Sequence, residues 1–480
     1  MCLQILEQER RSHGACGQRS MARPRRSHPR NTNGYDCSAR GKLMKLGVFY
    51  EHQLPQPWEN GGEKKLFDNA LEQIELADRL GFDYMWQVEH HFLEEYSHSS
   101  APEVFLGAVS QRTKNIRVGH GICLSPPHYN HPARVAERLA TLDLISGGRV
   151  DWGTGESASL IEMHGFGIEP EQKSAMWREG VEQTANMMTM RPYPGYEGRF
   201  FKMPPRNIVP KPIQKPHPPL WMACSRRDSI LRAARYGVGA LVFGFVEASQ
   251  AKLWRDEYYE TIKSEECVPI GHSVNANIAT LNGMMVHDSA EEAMRRGIDG
   301  FKFFGYSIAH YAIYGEHRPG RTNLWRRFQA VKDDMKETPG SGSIGRPQSV
   351  RDHLMSYADV GIDQMIFIQQ CGLNKHEHIC EALELFTKEV MPALKEREDE
   401  RVRRKEEELA PYVEAALARK PLMPELRETD IPNIEAMGIV LERRTGKNYA
   451  SAGGPFADPT RGGAIPMVSR ETYAKAAKID

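Results

Sequence analysis

The chain has 480 residues, 40% hydrophobic and 26% charged, with 63 basic and 63 acidic side chains and no formal net charge. That length fits two or three ordinary domains or one large α/β barrel with additions. The charge balance argues against a general nucleic-acid or membrane-surface binder, and no apolar run of about 18 residues is present to cross a bilayer. The eight cysteines contain no C-x-x-C pair. They read as reduced thiols of a cytoplasmic protein, neither a disulfide framework nor a zinc ribbon.

In chain order, residues 1–43 are rich in Arg, Ser and Gly and lack the apolar stretch of a secretory signal. They read as a disordered or spurious leader, with translation starting at Met44. A strand is predicted over 44–50, then a helix over 66–80 stopped by Gly81. Strand 82–88, helix 102–112, strand 116–119 and helix 132–145 follow, the last ended by Gly147 and Gly148. Strand 149–153 leads to a long helix over 172–190. Next come strand 220–224, helix 229–236, strand 241–245, helix 250–263 and a strand within 274–286. A helix begins at 290–296. Residues 304–346, rich in Tyr, His, Pro and Gly, read as an insertion. Helix 349–360, strand 365–369 and helix 377–394 complete the pattern. About eight β-then-α units over roughly 350 residues imply a parallel sheet closed as a (β/α)8 barrel. Residues 44–395 are assigned to that barrel and 396–480 to an irregular extension. The extension opens on a mixed-charge run, Lys395 to Glu408, read as the solvated end of a helix.

Barrel chemistry sits on the loops at the strand C-termini. After the second strand stands Glu89-His90-His91-Phe92. Histidine suits proton transfer near neutral pH, though a hydrogen-bonding core pair is the plainer reading. Glu89 and His91 alternate and could form two metal ligands, but adjacent histidines on a regular strand cannot both join them. After the third strand, Gly119 and Gly121 let a flat ligand approach the backbone. Gly153-Thr154-Gly155-Glu156-Ser157-Ala158 matches G-x-G-x-x-A, but the stretch about 20 residues on is helical, so it is no Rossmann unit. Its small residues still admit a ligand. After the fifth strand, Ser225, Arg226 and Arg227 enter a helix. They read as a phosphate site or as a helix cap with surface arginines, and the late strand position favours phosphate. The aromatic residues Phe49, Trp86 and Trp152 are assigned to the core.

From Met44 to about Leu394 the sequence resembles the bacterial luciferase-like flavin monooxygenase family. The resemblance rests on Gly81 to Trp86 followed by Glu89-His90-His91-Phe92, and on Val118 to Gly121. It rests further on His131 to Arg149 followed by Gly153-Thr154-Gly155, on Pro218 to Ser225, and on Gly361 to Phe367. It implies a (β/α)8 barrel and an enzyme using reduced FMN, often as a diffusible co-substrate from a separate flavin reductase. In FMN-using members O2 forms a flavin C4a-hydroperoxide that oxygenates a small organic substrate. One branch uses F420 for dehydrogenation. The resemblance also implies a homodimer. His90 matches the family's catalytic histidine, Gly121 and Ile122 a flavin-contacting stretch that often holds a non-proline cis peptide, and Ser225 a phosphate-contacting serine. Many relatives place Arg where Glu156 stands; the resemblance then leaves the phosphate charge to Arg226 and Arg227, or the cofactor sits differently. Flavin hydroperoxide chemistry calls for exclusion of water, and the 304–346 insertion is the candidate lid, with a surface loop or a dimer contact as the alternative. An FMNH2- and O2-dependent monooxygenase is the leading reading. Its rivals are an F420-dependent dehydrogenase, a flavin-binding paralogue without turnover, and a metal-dependent barrel hydrolase.

Overall fold

Eight parallel strands pair in sequential order and close on themselves in the computed structural model, which describes residues 44–395, 398–446 and 470–476. The expected leader lies outside these residues. The strands are β1 (Lys45–Tyr50), β2 (Tyr84–Gln87), β3 (Arg117–His120), β4 (Val150–Gly155), β5 (Leu220–Cys224), β6 (Gly239–Val242), β7 (Ile278–Gly283) and β8 (Gln364–Gln370). Gly47 lies opposite both Tyr84 of β2 and Ile366 of β8, so β1 joins the first strand pair to the last. The barrel expected from the β-then-α order is present.

Outside it run α1 (Gly62–Leu80), α2 (Pro102–Arg112), α3 (Pro132–Ser146), α4 (Lys173–Thr189), α5 (Arg227–Arg235), α6 (Ala248–Ile262), α7 (Ala290–Ala309), α8 (Pro347–Asp359) and α9 (His376–Glu389). Local chemistry sets their ends. Proline at the first position of α2 and α3 lacks only an N–H that the helix would leave unbonded. Gly81, at φ 85°, accepts the left-handed turn that ends α1.

Aromatic rings fill the barrel. Trp86 meets Trp221 edge-on with ring centres 5.4 Å apart, and Phe49 meets Phe243 at 5.5 Å. Phe49, Trp86 and Trp152 are fully buried, as the sequence reading assigned them. Glycines make room for this packing. A Cβ on Gly153 would stand 2.0 Å from the His120 carbonyl oxygen, a backbone atom of the neighbouring strand. Gly153→Ala therefore must push β3 from β4. An overpacking loss of at least about 1–3 kcal/mol is expected in urea denaturation; a stability equal to the parent's would show that the strands have slack there.

Two boundaries differ from expectation. Helix α7 continues to Ala309 because Phe301, Phe303, Phe304 and Ser307 keep one helical face buried. The insertion proper thus starts with the π-turn at His310–Tyr314 and includes the short helix Leu324–Gln329. The second difference is a correction. The charged run after Lys395 does not close the preceding helix; it opens a new one, in which Arg403, Arg404 and Glu406 to Glu408 face solvent while one stripe turns inward. Helix α10 (Glu398–Arg419) lies against the N-terminal face of the barrel, with Leu409 and Ala416 buried. Asp363, just before β8, is its anchor. The Asp363 carboxylate accepts hydrogen bonds from Lys405 Nζ at 2.9 Å, the Ile278 N–H at 2.9 Å and Arg401. A 22-residue helix of mixed charge has room for one stripe that faces inward, and periodicity of apolar residues alone does not reveal a stripe made of Arg and Lys stems. A cavity of about 580 Å³ opens between this helix and the barrel floor.

Candidate active site

The C-terminal ends of the strands bring three acidic and basic side chains together. His90 follows β2. Its Nδ1 lies 3.0 Å from Glu162 Oε1, and its Nε2 lies 3.7 Å from Glu51 Oε2. Glu51 directly follows β1, and Glu162 sits on the short helix Leu160–Gly165 after β4. Tyr96 Oη donates to Glu51 Oε1 at 3.0 Å. The His91 N–H and the Ser157 hydroxyl both donate to Glu162, at 2.9 and 2.6 Å. Glu51 and Glu162 are buried, while the His90 side chain keeps 20% of its surface at the mouth.

Burial opposes charge on His90, but Glu162, Glu51 and Glu89 outweigh it and raise the imidazolium to about 9. The same burial raises Glu51 to about 7, against the pull of His90 and the Tyr96 hydrogen bond. Burial would raise Glu162 too; His90 and the donors from Ser157 and His91 reverse that and hold it below the usual range. At neutral pH His90 is therefore a fixed positive proton donor, while Glu51 is poised to gain or lose a proton. Glu51 Oε2 has no hydrogen-bond partner, which leaves a buried acceptor for a bound molecule.

Its neighbours serve other ends. His91 Nε2 lies 3.2 Å from Glu89 Oε1, and Glu89 also accepts from the Leu124 N–H and from Asn130. The two alternate residues do meet, just past the end of β2, but as partners in a hydrogen-bonded network. Among the described residues no group of three or more His, Cys, Asp or Glu side chains converges as a metal site.

Gly121, Ile122 and Gly155 are brought together. A Cβ on Gly155 would stand 2.4 Å from Ile122 Cδ1, and one on Gly121 would stand 3.0 Å from Trp86 Cβ. Gly153 lies deeper in the wall, against the His120 carbonyl. The cis peptide bonds among the described residues all precede proline, so the Gly121–Ile122 bond is trans.

Ser225, Arg226 and Arg227 lie exposed where β5 enters α5. Both Ser225 and Arg226 N–H groups donate to Ser229 Oγ, at 3.2 and 3.1 Å. Arg227 is committed to Glu257 through two hydrogen bonds of 2.7 and 2.6 Å. Glu156 is not an isolated negative charge. Arg232 Nη2 donates to it at 2.7 Å, and its other oxygen accepts from Ser174. Lys173 lies within electrostatic reach of Glu156, Arg232 and Arg226. Arg232 pairs with this carboxylate, Lys173 lies within reach of it, and Arg226 lies within reach of Lys173, a clustering of positive charge that suits a phosphate.

Sequence reasoning missed Glu51, Glu162, Lys173 and Arg232. Glu51 was findable as the residue directly beyond the first strand. Glu162 hides in a Ser-x-x-Glu pattern that reads as a helix cap: Ser159 does cap its helix, but Glu162 turns to His90.

The closed barrel, with the half-buried His90 and the cation cluster at its mouth, is the architecture of an α/β-barrel enzyme. The family model for luciferase-like monooxygenases matches residues 44–364, and the chain belongs to that family. It is 27% identical over 346 residues to the oxygenase component of a flavin-dependent trigonelline monooxygenase of Acinetobacter baylyi, covering 70% of this chain and 91% of that one. The crystal structure of the monooxygenase RslO1 of Streptomyces bottropensis is similar over 73% of this chain and 99% of that one, with a TM-score of 0.60 and 25% identity. An F420-dependent secondary alcohol dehydrogenase shares the fold at a TM-score of 0.57 and 19% identity, over 74% of this chain and 99% of that one. The protein is a luciferase-like monooxygenase with flavin as its cofactor class. No described helix is long and apolar enough to cross a membrane.

Proposed function

We propose that the protein is the oxygenase of a two-component system, taking reduced FMN from a separate reductase and using O2 to oxygenate a small organic molecule. The observation that carries this reading is His90 held between two buried carboxylates on the barrel face that also carries the cationic cluster. The residues fit the cofactor. Arg226, Lys173 and the free N–H groups of the first turn of α5 would hold the phosphate. Gly121, Ile122 and Gly155 would flank the ring, and Glu51 Oε2, which faces His90 Nε2 at 3.7 Å without a hydrogen bond, would accept from a ring or substrate donor. Reduced flavin supplies the two electrons that O2 activation needs. The protein's part is to bind and orient the ring, exclude water, and keep a proton and a positive charge on His90 where negative charge develops on oxygen. Glu162 is a positioning residue: it fixes the His90 ring and its charge. Aromatic side chains, Phe243, Phe245, Phe304 and Tyr96, favour an apolar or aromatic substrate; Tyr96 and Phe304 lie 6.0 Å apart and Phe245 and Phe304 6.2 Å. Trigonelline, named for the Acinetobacter baylyi relative, is a first candidate in a substrate screen.

Oxygen uptake with a flavin reductase, NADH and FMN tests the reading, with substrate candidates screened for oxygenated product. The expected result is uptake that depends on this protein and yields such a product. Selective binding of F420 without oxygen consumption would replace it with the dehydrogenase reading. A finer expectation concerns the phosphate. Arg226→Ala should weaken FMN binding about tenfold, the value of one exposed charge-assisted hydrogen bond. Arg227→Ala should change it less than about twofold, because that side chain already pairs with Glu257. Fluorescence titration of both variants separates them; equal losses would assign the phosphate elsewhere.

A further inference from the structure

Besides contacts to Gln56 and to helix α7, the insertion meets the turn Glu94–Tyr96, which follows His90 by only a few residues. Glu95 is buried. One of its oxygens accepts the Leu324 N–H; the other accepts the Trp325 N–H at 3.0 Å and the Gln56 N–H at 2.9 Å. Three backbone donors thus meet on one carboxylate, two of them from the start of the insertion's short helix. Glu94 accepts the Gly320 N–H at 2.7 Å and faces His317 Nε2 at 3.2 Å. It does so at φ 40°, a conformation that a non-glycine residue holds only when its surroundings enforce it. The next residue, Tyr96, points the other way. Its hydroxyl donates to Glu51, its ring lies 5.4 Å from the His90 ring and 6.1 Å from that of Tyr311 in the insertion.

Resting on the reading of His90 as the catalytic histidine, we propose that this turn is a latch in which Glu94 and Glu95 hold the insertion closed while Tyr96 transmits the closed state to Glu51 and His90. Two consecutive residues grip the lid and the third grips the site, and a turn of three residues cannot move at one end alone. Glu95 is a positioning residue; it does not touch the reacting atoms. Closing the lid and setting the His90–Glu51 pair are then one event, so His90 is fully prepared only when water is excluded.

Glu95→Gln tests this, because an amide offers one acceptor and one donor where three donors converge. Hydrogen–deuterium exchange of the flavin-free, full-length protein should show residues 310–325 exchanging roughly tenfold faster, with the barrel strands unchanged. Nitrogen-15 NMR of histidine-labelled protein, with His90 assigned by His90→Gln, reads the other end. The groups facing His90 are Glu51, Glu162, Glu89 and Tyr96. Glu95→Gln should lower the His90 titration midpoint, as should Tyr96→Phe, and Tyr96→Phe should leave lid exchange within about twofold of the parent. Unchanged lid exchange in Glu95→Gln overturns the latch. Faster exchange with an unmoved His90 midpoint overturns the transmission. Should Glu95→Gln fail to fold, Glu94→Gln gives the same two readings with a smaller effect. Neither measurement uses flavin, so a failure of the flavin reading leaves this result standing on its own.

Discussion

Replacing His90 with alanine is expected to slow the reaction of bound reduced FMN with O2 by about 10²–10³-fold, the usual scale for losing a positioned proton donor. Binding of reduced FMN should change less than about threefold, since His90 acts on charge that develops only during reaction. Stopped-flow mixing of the anaerobic complex with O2 reads the first effect and fluorescence titration the second. The pH dependence has a defined sign. Burial disfavours the imidazolium, yet Glu162, Glu51 and Glu89 hold it protonated up to about 9. The rate should therefore persist through neutral pH and fall as pH rises through that value. Glu162→Gln removes the nearest carboxylate, at 3.0 Å, and should move the fall toward lower pH. A flat profile, or a fast His90→Ala, would remove His90 from the reaction.

The second large effect lies at the other end of the barrel. Asp363→Ala should cost about 1.5–3 kcal/mol, because it takes the carboxylate from the half-buried Lys405 and Arg401 and frees the buried Ile278 N–H. Urea denaturation measures the loss. Proteolysis locates it: α10 should become the first segment cleaved. Burial alone would raise the Asp363 carboxyl, but Lys405 and Arg401 outweigh it and lower it to about 2. A depressed folded value gives stability that is complete above the ordinary aspartate value and is lost as pH falls toward 2. The pair therefore matters at neutral pH and fails in acid, contributing on the order of 2 kcal/mol by linkage. A variant as stable as the parent would show that α10 is held by its apolar contacts, Leu409 and Ala416, alone.

These two regions differ in how far the sequence reveals them. The barrel was legible because β-then-α alternation, proline at helix starts and glycine at helix ends are local signals. Helix α2 and strand β5 match their predicted bounds, Pro102–Arg112 and Leu220–Cys224, for that reason. His90 was legible from its motif at a strand end. Its carboxylate partners were not, since they come from 39 residues before it and 72 residues after, and only closure of the barrel brings Glu51 and Glu162 to one point. Glu156, standing where many relatives have Arg, is paired with Arg232, which lies 76 positions away in the chain and one strand away in the fold. The C-terminal run misled for a physical reason: Arg and Lys stems can cover a barrel floor while their charges pair inward, and composition alone cannot tell that from a solvated face.

Anaerobic titration of the full-length protein with reduced FMN, alongside F420, followed by fluorescence, tests the central claim most directly. Saturable one-to-one binding of reduced FMN, weakened in Arg226→Ala and followed by rapid flavin oxidation on admitting O2, is the expected result. Binding of F420 with no binding of reduced FMN would contradict it, and would assign the His90–Glu51 pair to hydride-transfer chemistry on the same barrel.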